Sequence, residues 1–203
     1  MKKINLLVAI ATVCVCFLSG CNASKNVTAQ SGTRNANPFG PTFTLPCAVY
    51  DTKTEFAATG IYRGSSYQKG ECLLNALENA KQQVYAKYHH TYEGMISNYG
   101  SSIGNNRGND IETKLQRAGD QIVKAILNDV LAECQEFSAV QDDGMIECYV
   151  AIKVPKGEIA EKVSKKVADV LTEDEKERIN FNEYNYRKQM EERMQNYKEE
   201  NNK

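Results

Sequence analysis

From residue 55 onward the chain moves between two hydrophobic rhythms, one of two residues and one of three to four. In "EFAATGIYRG" (55–64), Phe56, Ala58, Gly60 and Tyr62 fall on one side and Ala57, Thr59, Ile61 and Arg63 on the other, which predicts a strand. Ser65 with Gln68 three residues on is a capping-box signature, and the rhythm then changes. Leu73, Leu77, Ala80, Val84, Tyr88, Thr91 and Met95 recur at steps of three and four, the mark of a long helix whose apolar face can cover a sheet. Ala76 and Ala80 leave room for close backbone approach, while Gly94 and Gly100 weaken the helix towards its end. Residues 100–110 read as a polar loop. Their glycines lack the Gly-Lys-Ser/Thr ending of a phosphate cradle, and Asp110 is placed to cap a shorter helix running to about residue 124.

The two-residue rhythm returns most clearly in "MIECYVAIKVP" (145–155). Ile146, Cys148, Val150, Ile152 and Val154 form a uniformly apolar face that must pack on something, and the long helix is the expected partner. Residues 126–137 are a second strand candidate, joined to it through the turn signal Asp142-Asp143-Gly144. A turn at those three residues sets Cys134 opposite Ile152 and Cys148 opposite Ser138, with both cysteines on one face. After Pro155 the chain reads as helical. Ile159, Val163, Val167, Val170 and Leu171 make a short stripe, Thr172 with Glu175 is a second capping box, and Tyr186, Met190, Met194 and Tyr197 recur at helical spacing among charges. The expected fold is α+β: a small antiparallel sheet in β-α-α-β-β order packed on a long helix, followed by a C-terminal helical extension. The α+β domain is expected over residues 47–156 and the helical tail over 157–203.

The first residues have a different logic. Met1-Lys2-Lys3 precedes an apolar run over residues 4–18, broken only by Asn5 and Thr12. This is a positive n-region and an h-region of about 15 residues, shorter than the roughly 20 that a spanning helix needs. Leu18-Ser19-Gly20-Cys21 resembles the bacterial lipobox, in which the cysteine thiol takes a diacylglyceryl group and becomes the new N-terminus. That resemblance implies a signal peptide over residues 1–20 and a lipid bilayer partner engaged through acyl chains on Cys21, two or three of which hold stably. Asn22 and Ala23 follow, with no aspartate; in the lipobox sorting rule this favours the outer membrane, its periplasmic face first and the cell surface second. Residues 21–46 then form a tether. It carries only Lys25 and Arg34 as charges and ends in Pro38, Pro41 and Pro46, so it cannot bury enough apolar area to offset its ordering entropy.

Removing Lys2 and Lys3 leaves 23 basic against 26 acidic residues, which argues against a nucleic-acid partner. With Cys14 and Cys16 gone with the signal and Cys21 lipidated, Cys47, Cys72, Cys134 and Cys148 remain. They form no C-x-x-C, so zinc and redox chemistry have no support. In an oxidising compartment the four allow two disulfides in three connectivities; buried thiols are the alternative. The register above places a Cys134–Cys148 bond below bonds to Cys72 or Cys47. His89 and His90 are adjacent, so on a helix they point about 100° apart and cannot share one metal ion. No catalytic, metal-binding or cofactor-binding spacing is found. Tyr85, Tyr88, Tyr92 and Tyr99 make a tyrosine-rich flank that reads first as core with hydroxyls at the rim and second as a ligand groove.

A lipobox, a strand holding Phe56-Ala-Ala-Thr-Gly60, a helix with small residues at Ala76, Asn79 and Ala80, and a last strand reading "GMIECYVAIKVPK" follow in that order. In this the chain resembles the Lpp-twenty lipoprotein family of Helicobacter and the related N-terminal domain of flagellar assembly protein T, over about residues 55–156. The resemblance implies a compact α+β unit, an envelope location, and binding or scaffolding without catalysis. The loop at 100–110 and the charged tail from Glu158 depart from that pattern, so flagellar involvement is not carried over. The functional expectation is a non-catalytic, outer-membrane-anchored interaction module. The Tyr186, Met190, Met194 and Tyr197 stripe reads first as the flank by which a solvated helix rests on the domain and second as an association arm; on the second reading it is the contact with an envelope protein or a second copy. The alternative is a small-ligand-binding lipoprotein using the tyrosine face.

Overall fold

A computed structural model describes residues 44–101 and 106–201; the expected signal peptide, Cys21 and the expected tether as far as residue 43 lie outside the described residues. The order is β1 (Glu55–Ser65), α1 (Lys69–Ser101), α2 (Asn106–Asp129), β2 (Cys134–Phe137), β3 (Met145–Pro155), α3 (Lys156–Val170), α4 (Glu173–Arg178) and α5 (Glu183–Asn201). The fold is α+β, with an antiparallel sheet in the order β1-β3-β2.

The two apolar faces of β1 and β3 coincide because Phe56 pairs with Val154, Ala58 with Ile152 and Gly60 with Val150. That face meets α1 through Cys72, Ala76, Ala80 and Val84, all buried. The approach is as close as the two alanines suggest. A Cβ on Gly60 would overlap the carbonyl oxygen of Ala76 and press on the amide of Ala80, so only glycine fits there. Ser65 does not cap the helix as expected, because it pairs with Met145 as the last residue of β1; α1 starts four residues later.

Three further boundaries differ from the sequence reading. The expected loop over 100–110 is mostly helix: α1 continues through Gly94 to Ser101, and α2 begins at Asn106, so Asp110 lies inside it. The expected strand over 126–137 is helical as far as Asp129, since Ile126 and Leu127 continue the buried stripe of Ile111, Leu115, Ala118 and Val123. Its branched side chains imitate a strand, but tertiary burial at helical spacing decides. Only residues 134–137 join the sheet.

The turn between β2 and β3 falls where expected. Gly144 has φ 77, its amide donates to Gln141 O at 2.9 Å, and Gln141 N donates to Met145 O at 2.9 Å. Beyond that pair the ladder slips. Residues 138–140 oppose only Ile146 and Glu147, and the Glu147 amide donates to the Ser138 hydroxyl at 2.9 Å where a strand carbonyl would otherwise accept. This bulge corrects the expected register: Cys134 pairs with Ala151 rather than Ile152, and Cys148 with Phe137 rather than Ser138. One residue of slip turns every side chain of β2 over, so Cys134 and Cys148 lie on opposite faces of the sheet.

The second face of the sheet carries Ala57, Tyr149 and Ala151, all buried. Residues 47–51 are held beside it: Thr59 Oγ1 donates to Cys47 O at 2.7 Å and the Ala57 amide donates to Asp51 Oδ1 at 2.7 Å. Lys87 of α1 ties the same corner, donating to Asp51 Oδ1 at 2.9 Å and to Ala57 O at 2.6 Å. At the other end, α3 follows β3 without a linker and packs on α2 and α5. Ile159, Ala160, Val163 and Val167 are buried in the same core as Phe56, Val84 and Ile152, so the chain after residue 156 completes the domain's interior. The Thr172–Glu175 capping box forms and opens α4.

Because the atoms facing Gly60 are backbone, they cannot swing aside. Gly60→Ala should destabilise the protein by at least about 2 kcal/mol. Gly157→Ala, on the open side of α3 with nothing near its Cβ, should be neutral or stabilising by up to about 1 kcal/mol. Urea unfolding of the two variants checks both.

Candidate functional site

The four cysteines of the folded region form two disulfides, Cys72–Cys148 and Cys47–Cys134, with Cα–Cα distances of 5.9 and 5.6 Å. The first is sealed between α1 and β3, in a small cluster with Ala76, Ile146 and Val150. The second lies on the other face, half-exposed, and fastens the segment that precedes β1 to β2. Cys47, Cys134 and the Glu136 carboxylate also make the one cluster of metal-ligating atoms among the described residues. With both sulfurs in the disulfide, it has no thiolate to offer a metal ion.

Of the two readings of the α5 stripe, the structure has the first: the stripe is consumed by the domain and is not open to a partner. Tyr186, Met190 and Met194 are 0%, 2% and 0% exposed. Tyr197 stands edge-on to Phe56 at 5.9 Å, and to His90 at 6.1 Å. The physical reason is that α1 overhangs the sheet and its tyrosines need a cover. Tyr92 donates to Leu115 O at 2.8 Å and shares a hydrogen bond with Tyr186 at 2.8 Å, which joins α1, α2 and α5 at one point. At Tyr88 and Tyr92 the tyrosine face is likewise closed, whereas Tyr85 lines a small open pocket of about 190 Å³ with Gln82, Lys124 and Leu127. Tyr88 and Tyr92 are stacked at 5.1 Å and wholly buried, and a Cβ on Gly119 of α2 would strike the Tyr88 hydroxyl and the Tyr92 ring. Tyr85 and Tyr99 remain at the rim.

Burial dominates the electrostatics of this cluster. It pushes the phenols of Tyr88, Tyr92 and Tyr186 well above the ordinary 10.0, because a phenolate there would lose its water. Tyr85 is pushed up to about 12, first by burial and then by its hydrogen bond to Asp120. Among the described residues the Tyr88 hydroxyl has no hydrogen-bond partner, and the void beside it with Met190 and Met194 has no room for a water. On the surface, the Lys114 ammonium holds the Glu175 carboxylate below its usual value and joins α2 to the start of α4.

Among the described residues, two sizeable open grooves lie beside the distal half of α1. One, about 780 Å³, lies between α1 and α2 and mixes His89 and Glu93 with Glu112, Gln116 and Arg117. His89 Nδ1 sits 3.4 Å from Glu93, so the histidine turns to a neighbouring carboxylate and not to His90. The other, about 600 Å³, lies between the end of α1, the α4–α5 turn and α5, and is lined mainly by side-chain amides. The sequence carried that signal without its being read: Asn182, Asn185, Gln189 and Asn196 follow helical spacing just beside the tyrosine–methionine stripe. Comparison with protein-family models, with curated proteins and with solved structures finds no match.

The raised phenol values give the pH dependence a sign. The unfolded chain releases tyrosine protons near pH 10 while the folded chain keeps them. This contribution is therefore whole below about pH 10 and is lost as pH rises towards the folded values. Urea midpoints should fall above pH 10, with tyrosinate absorbance of the core tyrosines appearing together with unfolding. Tyr88→Phe removes the unpartnered hydroxyl and should be neutral or stabilising by about 1 kcal/mol, read from the same curves at pH 7.

Proposed function

We propose that this chain is a non-catalytic lipoprotein of the outer membrane, held by acyl chains on Cys21 and acting as an interaction or scaffolding module in the cell envelope. The observation that carries the reading is the Cys47–Cys134 disulfide, which joins the residues just past the expected tether to the sheet. Two disulfides in one small domain suit an oxidising compartment. A bond at that position suits a domain that is held from its N-terminal side. The likeness of residues 55–156 to the Lpp-twenty lipoproteins points to the same surroundings. Among the described residues no helix is long and apolar enough to cross a membrane. With the α5 stripe buried, the reading moves the contact surface from that stripe to the groove next to it.

Cys21→Ser tests the anchor. The wild-type protein should incorporate labelled palmitate and sediment with outer-membrane fractions on a density gradient. The variant should take up no label and leave those fractions. A variant that still sediments with the outer membrane would overturn the reading.

A further inference from the structure

The two disulfides are not equally reachable. Cys72 and Cys148 are 1% and 0% exposed, whereas Cys47 and Cys134 are both half-exposed. Thiol–disulfide exchange needs access for an attacking thiolate, so a reductant meets the Cys47–Cys134 bond first. Contacts besides the bond also hold its two ends. Thr59 Oγ1 donates to Cys47 O at 2.7 Å and the Ala57 amide to Asp51 Oδ1 at 2.7 Å, while the strand ladder keeps Cys134 opposite Ala151. Glu136 follows Cys134 by two residues on β2, and residues two apart on a strand share a face. Its carboxylate reaches the bond: Oε1 lies 3.8 Å from Cys134 Sγ, a sulfur with no proton to give it. Both sulfurs and a carboxylate oxygen lie within 4.8 Å of one another.

We infer that Cys47, Cys134 and Glu136 form a zinc site once a dithiol has reduced the Cys47–Cys134 disulfide. One thiolate of the dithiol attacks a protein sulfur, and the other protein sulfur leaves as a thiolate. The dithiol's second thiolate then frees the first protein sulfur, and the dithiol departs as its own disulfide, having given up two electrons. Zinc takes both protein sulfurs as thiolates, and any proton on them goes to solvent. Two thiolates and a carboxylate are ligand types that zinc prefers, with water in the fourth position. In a tetrahedral site, Zn–S bonds of about 2.3 Å and a Zn–O bond of about 2.0 Å set sulfur and oxygen about 3.5 Å apart. The 3.8 Å already present between Cys134 and Glu136 is close to that. The two sulfurs must part to about 3.8 Å, which rotation of their side chains supplies on Cα atoms 5.6 Å apart. No C-x-x-C spacing announces the site, because the fold brings its cysteines together across 87 residues. The metal then closes the same clasp that the disulfide closes in the oxidised chain.

The full chain carrying Cys14→Ser, Cys16→Ser and Cys21→Ser keeps only the four cysteines of the folded region. It would be treated with limiting dithiothreitol, freed of it by gel filtration without oxygen, and alkylated in part for peptide mass analysis. Cys47 and Cys134 should open while Cys72–Cys148 stays closed, and the circular dichroism should stay that of the oxidised chain. Cobalt(II) alone, titrated in as the probe, should bind at one ion per chain. It should show the thiolate charge-transfer and intense visible bands of a tetrahedral site, and zinc should bleach them. The oxidised chain should show none of these bands. Glu136→Gln should open the same bond yet hold cobalt about tenfold more weakly or worse, and Cys47→Ser with Cys134→Ser should hold none. Four results would each overturn the inference: opening of Cys72–Cys148 first, loss of the fold on reduction, absence of thiolate–cobalt bands, or an affinity unmoved by Glu136→Gln. Residue 21 is serine throughout, so failure here and failure of the anchor are told apart.

Discussion

The carbonyl oxygen of Ala76 lies where a Cβ of Gly60 would have to be, and that contact sets the distance between the long helix and the sheet. At that separation the side chains of Cys72 and Cys148 come within bonding reach one turn before Ala76, and Phe56, Val84 and Ile152 close the layer beyond it. A 33-residue helix is about 50 Å long, whereas an 11-residue strand covers about 37 Å. The helix therefore overhangs the sheet. Its distal half carries Tyr88, Tyr92, Met95 and Ile96 into a space that the strands cannot fill, and α2, α3 and α5 exist to enclose it.

That division explains why the C-terminal helices belong to the core. The hydroxyls of Tyr92 and Tyr186 meet at 2.8 Å although they are 94 residues apart. Burying two phenols is tolerable when each satisfies the other and a backbone carbonyl accepts the remaining proton. The face of α5 next to that contact is left outside the core, and it is there that the amide side chains gather.

Much of this was legible along the chain. The alternation in residues 55–64 and 145–155, the small residues at Ala76 and Ala80, the Gly144 turn and the Thr172–Glu175 box each have a local cause, and each local cause prevails in the fold. What failed was non-local. A serine hydroxyl replacing a backbone acceptor at Ser138 shifts a register, and nothing in the neighbouring residues announces it. Ile126 and Leu127 read as strand until the helix they finish is seen to need them. The tyrosine–methionine stripe had the right periodicity for either a partner or its own domain. Only the overhang of α1 decides between them. The amide face was overlooked because solvated asparagines look alike until a facing wall turns them into a groove.

The Cys47–Cys134 bond has a mechanical consequence. Suppose the chain is tugged from its N-terminal side. Without the bond, the hydrogen bonds from Thr59 and Ala57 to residues 47–51 would give way one after another, and β1 would follow, peeled from its free edge. With it, tension stops at Cys47 and passes through sulfur into Cys134 of the opposite edge strand. The force is then spread across β2 and β3 together, and the 86 residues between the two cysteines are bypassed. A domain wired in this way can be hauled on from its N-terminal side without being unravelled.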